Sequence, residues 1–329
     1  MMTDIVYTGP LGKYITEYIK QKQSPGYKYI AEACHMKRFD SFCHDKYGTA
    51  TTLTKKIVLD WCCKKSYEAQ ANQYARVSIL REFGKYLDNV GIDAYIIPKG
   101  YYSQKAEYIP YIYSDKELRQ FFAATEKCRP SSEAPYRHLI MPVFFRMVYT
   151  CGLRVSEARL LKVSDVDLNE GILTIRHSKK DKDRLVPMGN SLQSRCKQYS
   201  KIVHLHSKPG EYYFPALGGK AMTIGNVYKN FRKFLWKAGI SHRGRGYGPR
   251  IHDLRHSFCV NRLKNWSSAG KDLLVYLPIL KTYLGHDSFH DTAYYLRLTA
   301  DVFPDITLKI ESSFPNMIPE LEGGNNETD

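Results

Sequence analysis

Residues 171–189 read GILTIRHSKKDKDRLVPMG. Ile172, Leu173 and Ile175 stand before a charged run and Leu185 and Val186 after it, the pattern of two short strands joined by a polar turn. Working outward, apolar residues fall at helical spacing over Ser114–Thr125 and Tyr136–Thr150 upstream. Downstream they do so over Ser191–Val203, Ile224–Ala238, His252–Leu263 and Leu277–Leu284. Ser114, with Glu117 three residues later, makes a capping box that opens the first of these helices. One hairpin among helices predicts a mixed second domain in a chain that is mainly α with a small β-hairpin or sheet.

The first hundred residues read as helices. Leu11, Tyr14, Ile15, Tyr18 and Ile19 recur at helical spacing, as do Val77, Leu80, Phe83 and Leu87 in a stretch that ends at Gly91. Lys and Arg between these apolar positions are expected on solvated faces. Ile97 to Tyr111 holds two prolines and several tyrosines with no period, which reads as a linker. The expected organisation is a helical domain over 1–96, a linker over 97–111, a mixed domain over 112–315 and an acidic tail over 316–329.

Forty-nine Lys and Arg against 33 Asp and Glu give a formal charge of +16, which points to a polyanionic partner through counterion release. No run of eighteen apolar residues is present, and the N-terminus lacks a basic start followed by an apolar core. A membrane span and a secretory leader are therefore not expected, and the cytoplasm is the expected location. The eight cysteines show no CxxC pairing and mostly sit among apolar neighbours, as reduced buried thiols do. The sequence holds no GxxxxGK[ST] loop and no clustered acidic metal site, which agrees with a chemistry that needs neither ATP nor a metal cofactor.

The residues that carry chemistry are cationic, with one phenol. Arg154 follows a Cys-Gly turn in TCGLRVSEARLLKVSDVDL, and Lys179 lies in the hairpin turn with Lys180 and Lys182 beside it. His252 and Arg255 stand three apart in IHDLRHSF and would share a helix face. His252 and His256, four apart, have the spacing of a metal pair and equally that of an ordinary helix face. His286 follows Leu-Gly, and Tyr295 closes the set in DTAYYLRL. The loop HRGRGYGPR just before His252 brings Arg243, Arg245 and Arg250, candidates for phosphate contacts.

The order Gly-Leu-Arg-x-Ser-Glu, hairpin Lys, His-x-x-Arg-His, Leu-Gly-His, Thr-x-x-Tyr resembles the tyrosine recombinase (phage integrase) family, over about Ser114 to Ser313. The resemblance implies a helical core-binding (SAM-like) DNA-binding domain followed by a catalytic domain. It also implies cleavage and rejoining of double-stranded DNA at specific recombination sites through a 3′-phosphotyrosine. Arg154 and Arg255 match the family's catalytic arginines, Lys179 the hairpin lysine, His252 and His286 its histidines, and Tyr295 the nucleophile in preference to Tyr294. Four protomers would synapse two sites, with the segment Pro304–Ile318 packing into a neighbouring protomer. Between Arg255 and His286 the chain is longer than the family's usual compact stretch, a feature that tilts the reading towards integration or excision of a mobile element. Three rivals are a type IB topoisomerase, a DNA-binding accessory protein without catalysis, and a metal-dependent nuclease.

Overall fold

The computed structural model describes residues 5–27, 29–102, 109–176, 183–244 and 248–302. The chain divides into two compact units, Met1–Tyr108 and Ile109–Asp329.

The first unit is helical: α1 (Gly12–Gln23), α2 (Ile30–Lys46), α3 (Lys55–Cys62) and α4 (Gln70–Asn89). Each supplies apolar residues three or four apart to one core, among them Ile15, Phe39, Trp61 and Phe83. Each such side chain removed from water contributes about 1.5–3 kcal/mol. Helix α4 ends where Gly91 takes a left-handed φ of 79° and the Ile92 N–H reaches back to the Leu87 carbonyl. Two cationic positions of α4 differ from the expectation of solvated faces, because Arg76 and Arg81 are buried. Arg81 donates to the carbonyls of Ile97 and Pro98, and Arg76 forks onto Glu68 at 2.7 and 2.6 Å. Both arginines tie loops to the helix, and no hydrophobic period reveals that. Ile97, the first residue of the expected linker, is buried in this core.

The second unit opens with α5 (Asp115–Glu126), whose capping box forms through Ser114 and Glu117. Helices α6 (Arg137–Thr150) and α7 (Val155–Leu160) lead to an antiparallel sheet of β1 (Val166–Asp167), β2 (Ile172–Ile175) and β3 (Arg184–Pro187), in the order β1-β2-β3. The expected hairpin is thus β2–β3, with Leu173 opposite Val186, and a two-residue edge strand is added. Leu173, Ile175 and Val186 face a core rich in phenylalanine (Phe121, Phe144, Phe145, Phe231). The remaining helices are α8 (Asn190–Val203), α9 (Ile224–Lys237), α10 (Ile251–Ser268), α11 (Leu273–Leu284) and α12 (Phe289–Val302). The extra length after Arg255 is taken up by α10 running on to Ser268 and by α11. Leu277, Leu280 and Leu284 of α11 pack against Phe258 and Leu263 of α10 and Leu296 of α12. Among the described residues no helix is long and apolar enough to cross a membrane.

Candidate active site

Two glycine turns build the site. Gly152 closes α6 at φ 57°, and a Cβ there would lie 2.6 Å from the Phe258 ring, so only glycine lets the turn approach α10 this closely. Its carbonyl accepts from Arg255 Nη1 at 2.6 Å. Gly285 ends α11 at φ 64°, turning the last carbonyls of that helix towards the arginines. The Leu284 carbonyl accepts from Arg255 Nη2 at 2.9 Å, and the Gly285 carbonyl from Arg154 Nη2 at 3.4 Å. Cys-Gly-Leu-Arg and Leu-Gly-His are therefore two clamps on one group of cations.

Arg255 is 1% exposed, and among the described residues it donates to no carboxylate. Its third partner is His286 Nε2 at 2.9 Å. An arginine can only donate, so Nε2 accepts, and the His286 proton sits on Nδ1, which donates to Thr292 Oγ1 at 2.9 Å. Burial pulls the Arg255 pKa down and the Arg154 charge adds to that, against the opposing effect of Tyr295, Cys259 and Glu157.

Arg154 stands at the N-terminus of α7, with a quarter of its side chain exposed and Nη1 on Glu157 Oε1 at 2.8 Å. Glu157 also accepts from the Arg154 backbone N–H and from both terminal nitrogens of Arg184 on β3. Burial alone would raise this carboxyl; the Arg184 hydrogen bonds and charge outweigh it and bring Glu157 down to about 2. Arg184 Nε continues to the Tyr283 carbonyl at 3.0 Å, which joins the sheet to α11. Glu157 and Arg184 carried no expected role. The signal that could have found them is the single acid inside a basic motif, three residues after Arg154, and the arginine opening the second strand.

Tyr295 lies on α12, 3% exposed, between two imidazoles. Its ring is parallel to that of His286 at 5.8 Å and tilted against His256 at 5.5 Å. Burial raises its pKa above that of a free phenol, Cys259 adds to the rise, and the charge and hydrogen bond of Arg255 oppose it. Tyr294 is half-buried, with its ring 6.3 Å from His256. His252 keeps an exposed edge and sets its ring 4.7 Å from His256. The protein packed around it, then Arg255 and Arg154, lower its imidazole to about 4.

The structure thus brings Arg154, His252, Arg255, His286 and Tyr295 together, on α7, α10, α12 and the turn between α11 and α12. Arg243 is exposed, with a left-handed backbone (φ 49°). Arg250 precedes α10, and its N–H donates to Asp253 Oδ2 at 2.7 Å. Lys179, Lys180, Lys182, Arg245 and the segment Pro304–Ile318 lie outside the described residues. Among the described residues no group of three His, Cys, Asp or Glu is placed to hold a metal ion.

Residues 112–301 match the Phage integrase family. An integrase/recombinase of Sinorhizobium fredii, y4rE, is 30% identical over 318 residues, covering 95% of this chain and 97% of that protein. A second from the same organism, y4rB, is 28% identical and covers 90% and 96%. Tyrosine recombinase XerD of Proteus mirabilis is 32% identical over 47% of this chain and 46% of its own. Among solved structures, the Tn1549 transposon integrase in complex with a circular-intermediate DNA superposes with a TM-score of 0.65, at 13% identity over 92% of this chain and 98% of that one. XerH site-specific recombinase bound to its difH substrate gives 0.64, at 20% identity over 89% and 83%. The chain is a member of the phage integrase, or tyrosine recombinase, family.

Proposed function

We propose that this chain is a site-specific DNA recombinase that cleaves and rejoins double-stranded DNA through Tyr295, without metal or ATP. The observation that carries the reading is Arg255. It is a buried guanidinium with no described carboxylate partner, oriented by two carbonyls and a neutral histidine, and it lies against a buried tyrosine. An uncompensated buried charge costs several kcal/mol unless an anion arrives to share it. A phosphodiester is such an anion, and Arg154 beside it supplies a second fork for the non-bridging oxygens.

In the reaction the Tyr295 oxygen attacks phosphorus, the new O–P bond forms, and the bond to the 5′-oxygen breaks. Preorganised donors of this kind contribute about 3–4 kcal/mol each to transition-state binding. His252 belongs to the proton-handling side of the site, and His286 braces Arg255. Lys179 is assigned to protonate the leaving 5′-oxygen. Because the phosphotyrosine conserves the energy of the bond, a 5′-hydroxyl from a partner strand reverses the attack and reseals the DNA. Arg243, Arg245, Arg250, Lys180 and Lys182 would contact flanking phosphates. Two domains would grip the duplex, 1–96 and 112–315, and four protomers would synapse two sites. The kinship with integrases along nearly the full chain, and the likeness in fold to a transposon integrase, favour integration or excision of a mobile element.

The test is a nicked suicide DNA carrying the recombination site, mixed with the protein in EDTA and run on a denaturing gel. A shifted protein–DNA band lost with Tyr295→Phe and kept with Tyr294→Phe supports the proposal. No adduct on DNA that the protein binds would instead favour a non-catalytic accessory role.

A further inference from the structure

Cys259 sits in HSFCVN, where a cysteine reads as a small buried hydrophobe, and the mechanism above gives it no part. Its side chain is closed to solvent on α10, in one apolar cluster with Val260, Leu263, Leu296 and Leu298. It does more than fill space, because the Tyr295 hydroxyl is hydrogen-bonded to it as well as to Arg255. Arg255 and Cys259 stand four apart on α10, so adjacent turns of one helix face grip the same oxygen. The direction of the two bonds follows from the groups. A guanidinium can only donate, so Arg255 donates to the phenol oxygen, and the phenol O–H is left to donate to Sγ. Burial pushes the Cys259 thiol up to about 12, so at neutral pH it is uncharged and accepts the hydrogen bond without taking the proton. Burial of Tyr295 and the thiol beside it keep the phenol protonated, against the opposing effect of Arg255.

Resting on the phosphoryl-transfer reading, we propose that Cys259 is a positioning residue that restrains the nucleophile, holding the Tyr295 O–H turned into the core until DNA engages Arg255. His256 and His286 flank the Tyr295 ring, which leaves the direction of its hydroxyl to Arg255 and Cys259. A phosphate oxygen is a stronger acceptor for the guanidinium than a phenol oxygen, so bound DNA draws Arg255 off Tyr295. The bond to Sγ is then the tie that keeps the hydroxyl against α10. Sulfur is a weak acceptor, so this tie holds the free protein at rest and still gives way when the scissile phosphate arrives. No covalent bond changes in the step: the O–H···S contact is given up and the phenol oxygen turns towards phosphorus. A side chain without an acceptor at this position would leave the buried O–H unsatisfied and the nucleophile less firmly held.

The experiment compares the full wild-type chain with Cys259→Ala and Cys259→Ser. Both variants lose the bulk of the sulfur and only serine keeps an acceptor, so a difference between them reads the hydrogen bond and not the packing. One readout needs no DNA: fluorotyrosine is placed at position 295 and its fluorine resonance is followed. The other is single-turnover cleavage of the suicide DNA at saturating protein. The resonance should move in Cys259→Ala and return towards the wild-type position in Cys259→Ser. Cys259→Ala should cleave about fivefold faster per folded molecule despite a lower melting temperature, and Cys259→Ser should cleave at about the wild-type rate. Alanine and serine variants alike in both resonance and rate would overturn the inference. Slower cleavage by Cys259→Ala would overturn it too, since the thiol would then be aiming Tyr295 and not restraining it. A fluorine signal that separates the two variants while the wild type forms no adduct would sink the transfer reading and the restraint with it. A cleaving wild type with indistinguishable variants sinks the restraint alone.

Discussion

Arg76 in the first unit and Arg255 in the second are both nearly closed to solvent, at 5% and 1% exposure, yet they are held in opposite ways. Arg76 forks onto Glu68 and spends its remaining donor capacity on the carbonyls of Trp61 and Cys63. Arg255 meets two carbonyls, a neutral imidazole and Tyr295, and the acid whose charge reaches it, Glu157, is hydrogen-bonded to Arg154 and Arg184 instead. The first arrangement is complete within its unit. The second leaves a net positive charge pointed at a tyrosine, as a site awaiting an anionic ligand requires. Compensation, rather than burial, separates the structural arginine from the candidate catalytic one.

The largest expected effect is on Arg255. Arg255→Met should reduce covalent cleavage by at least about 1,000-fold while leaving the melting temperature equal or higher, since it removes an unbalanced buried charge. A melting temperature many degrees lower would break the comparison. Arg76→Met should do the reverse. It strands Glu68 in a crowded site and costs about 3–5 kcal/mol of stability, read as a shifted urea midpoint, while adduct formation per folded molecule is kept.

Glu157 sharpens the comparison through pH. Its folded pKa of about 2 lies below the ordinary carboxyl value, so its contribution is fully present above about pH 4.5. That contribution is lost as pH falls through about 2. Urea unfolding of the full chain between those limits should lose on the order of 2 kcal/mol more for wild type than for Glu157→Gln. Parallel curves would mean that the Arg154–Glu157–Arg184 network does not hold the carboxylate as described. The smallest effect is expected at the α11 turn. Gly285→Ala forces a side chain into left-handed φ with its Cβ 3.0 Å from Arg184 Nη1, at about 1–2 kcal/mol. Thermal melts should register that cost, and cleavage should slow as the Gly285 carbonyl shifts from Arg154.

Much of this site is written in local sequence. Arg154, His252, Arg255, His286 and Tyr295 sit in short motifs whose glycines and helical spacings are readable without coordinates. The hairpin was legible because two short apolar arms, Ile172, Leu173 and Ile175 on one side and Leu185 and Val186 on the other, flank a charged turn. The two-residue β1 was not, since Val166–Asp167 is too short to carry a period and exists only by pairing with β2. Helix α12 escaped for another reason. Its pattern DTAYYLRL has buried residues on several sides, because Tyr295 faces the site while Leu296 and Leu298 face α10 and α11. The buried roles of Arg76 and Arg81 depend on loop carbonyls brought in by tertiary folding, which no local pattern encodes. Glu157 was visible as a residue but not as a hub, because Arg184 reaches it from 27 positions away.

The central claim, that the charge of Arg255 serves a nucleophilic Tyr295, is tested most directly by locating the covalent bond. Trapped adduct should be digested with nuclease and trypsin, and the peptide Thr282–Arg297, TYLGHDSFHDTAYYLR, fragmented by mass spectrometry. That peptide contains Tyr283, Tyr294 and Tyr295, so the position is decided within one molecule. The account expects the nucleotide mass on Tyr295. Its appearance on Tyr294, on Tyr283 or on any residue outside the peptide would contradict it.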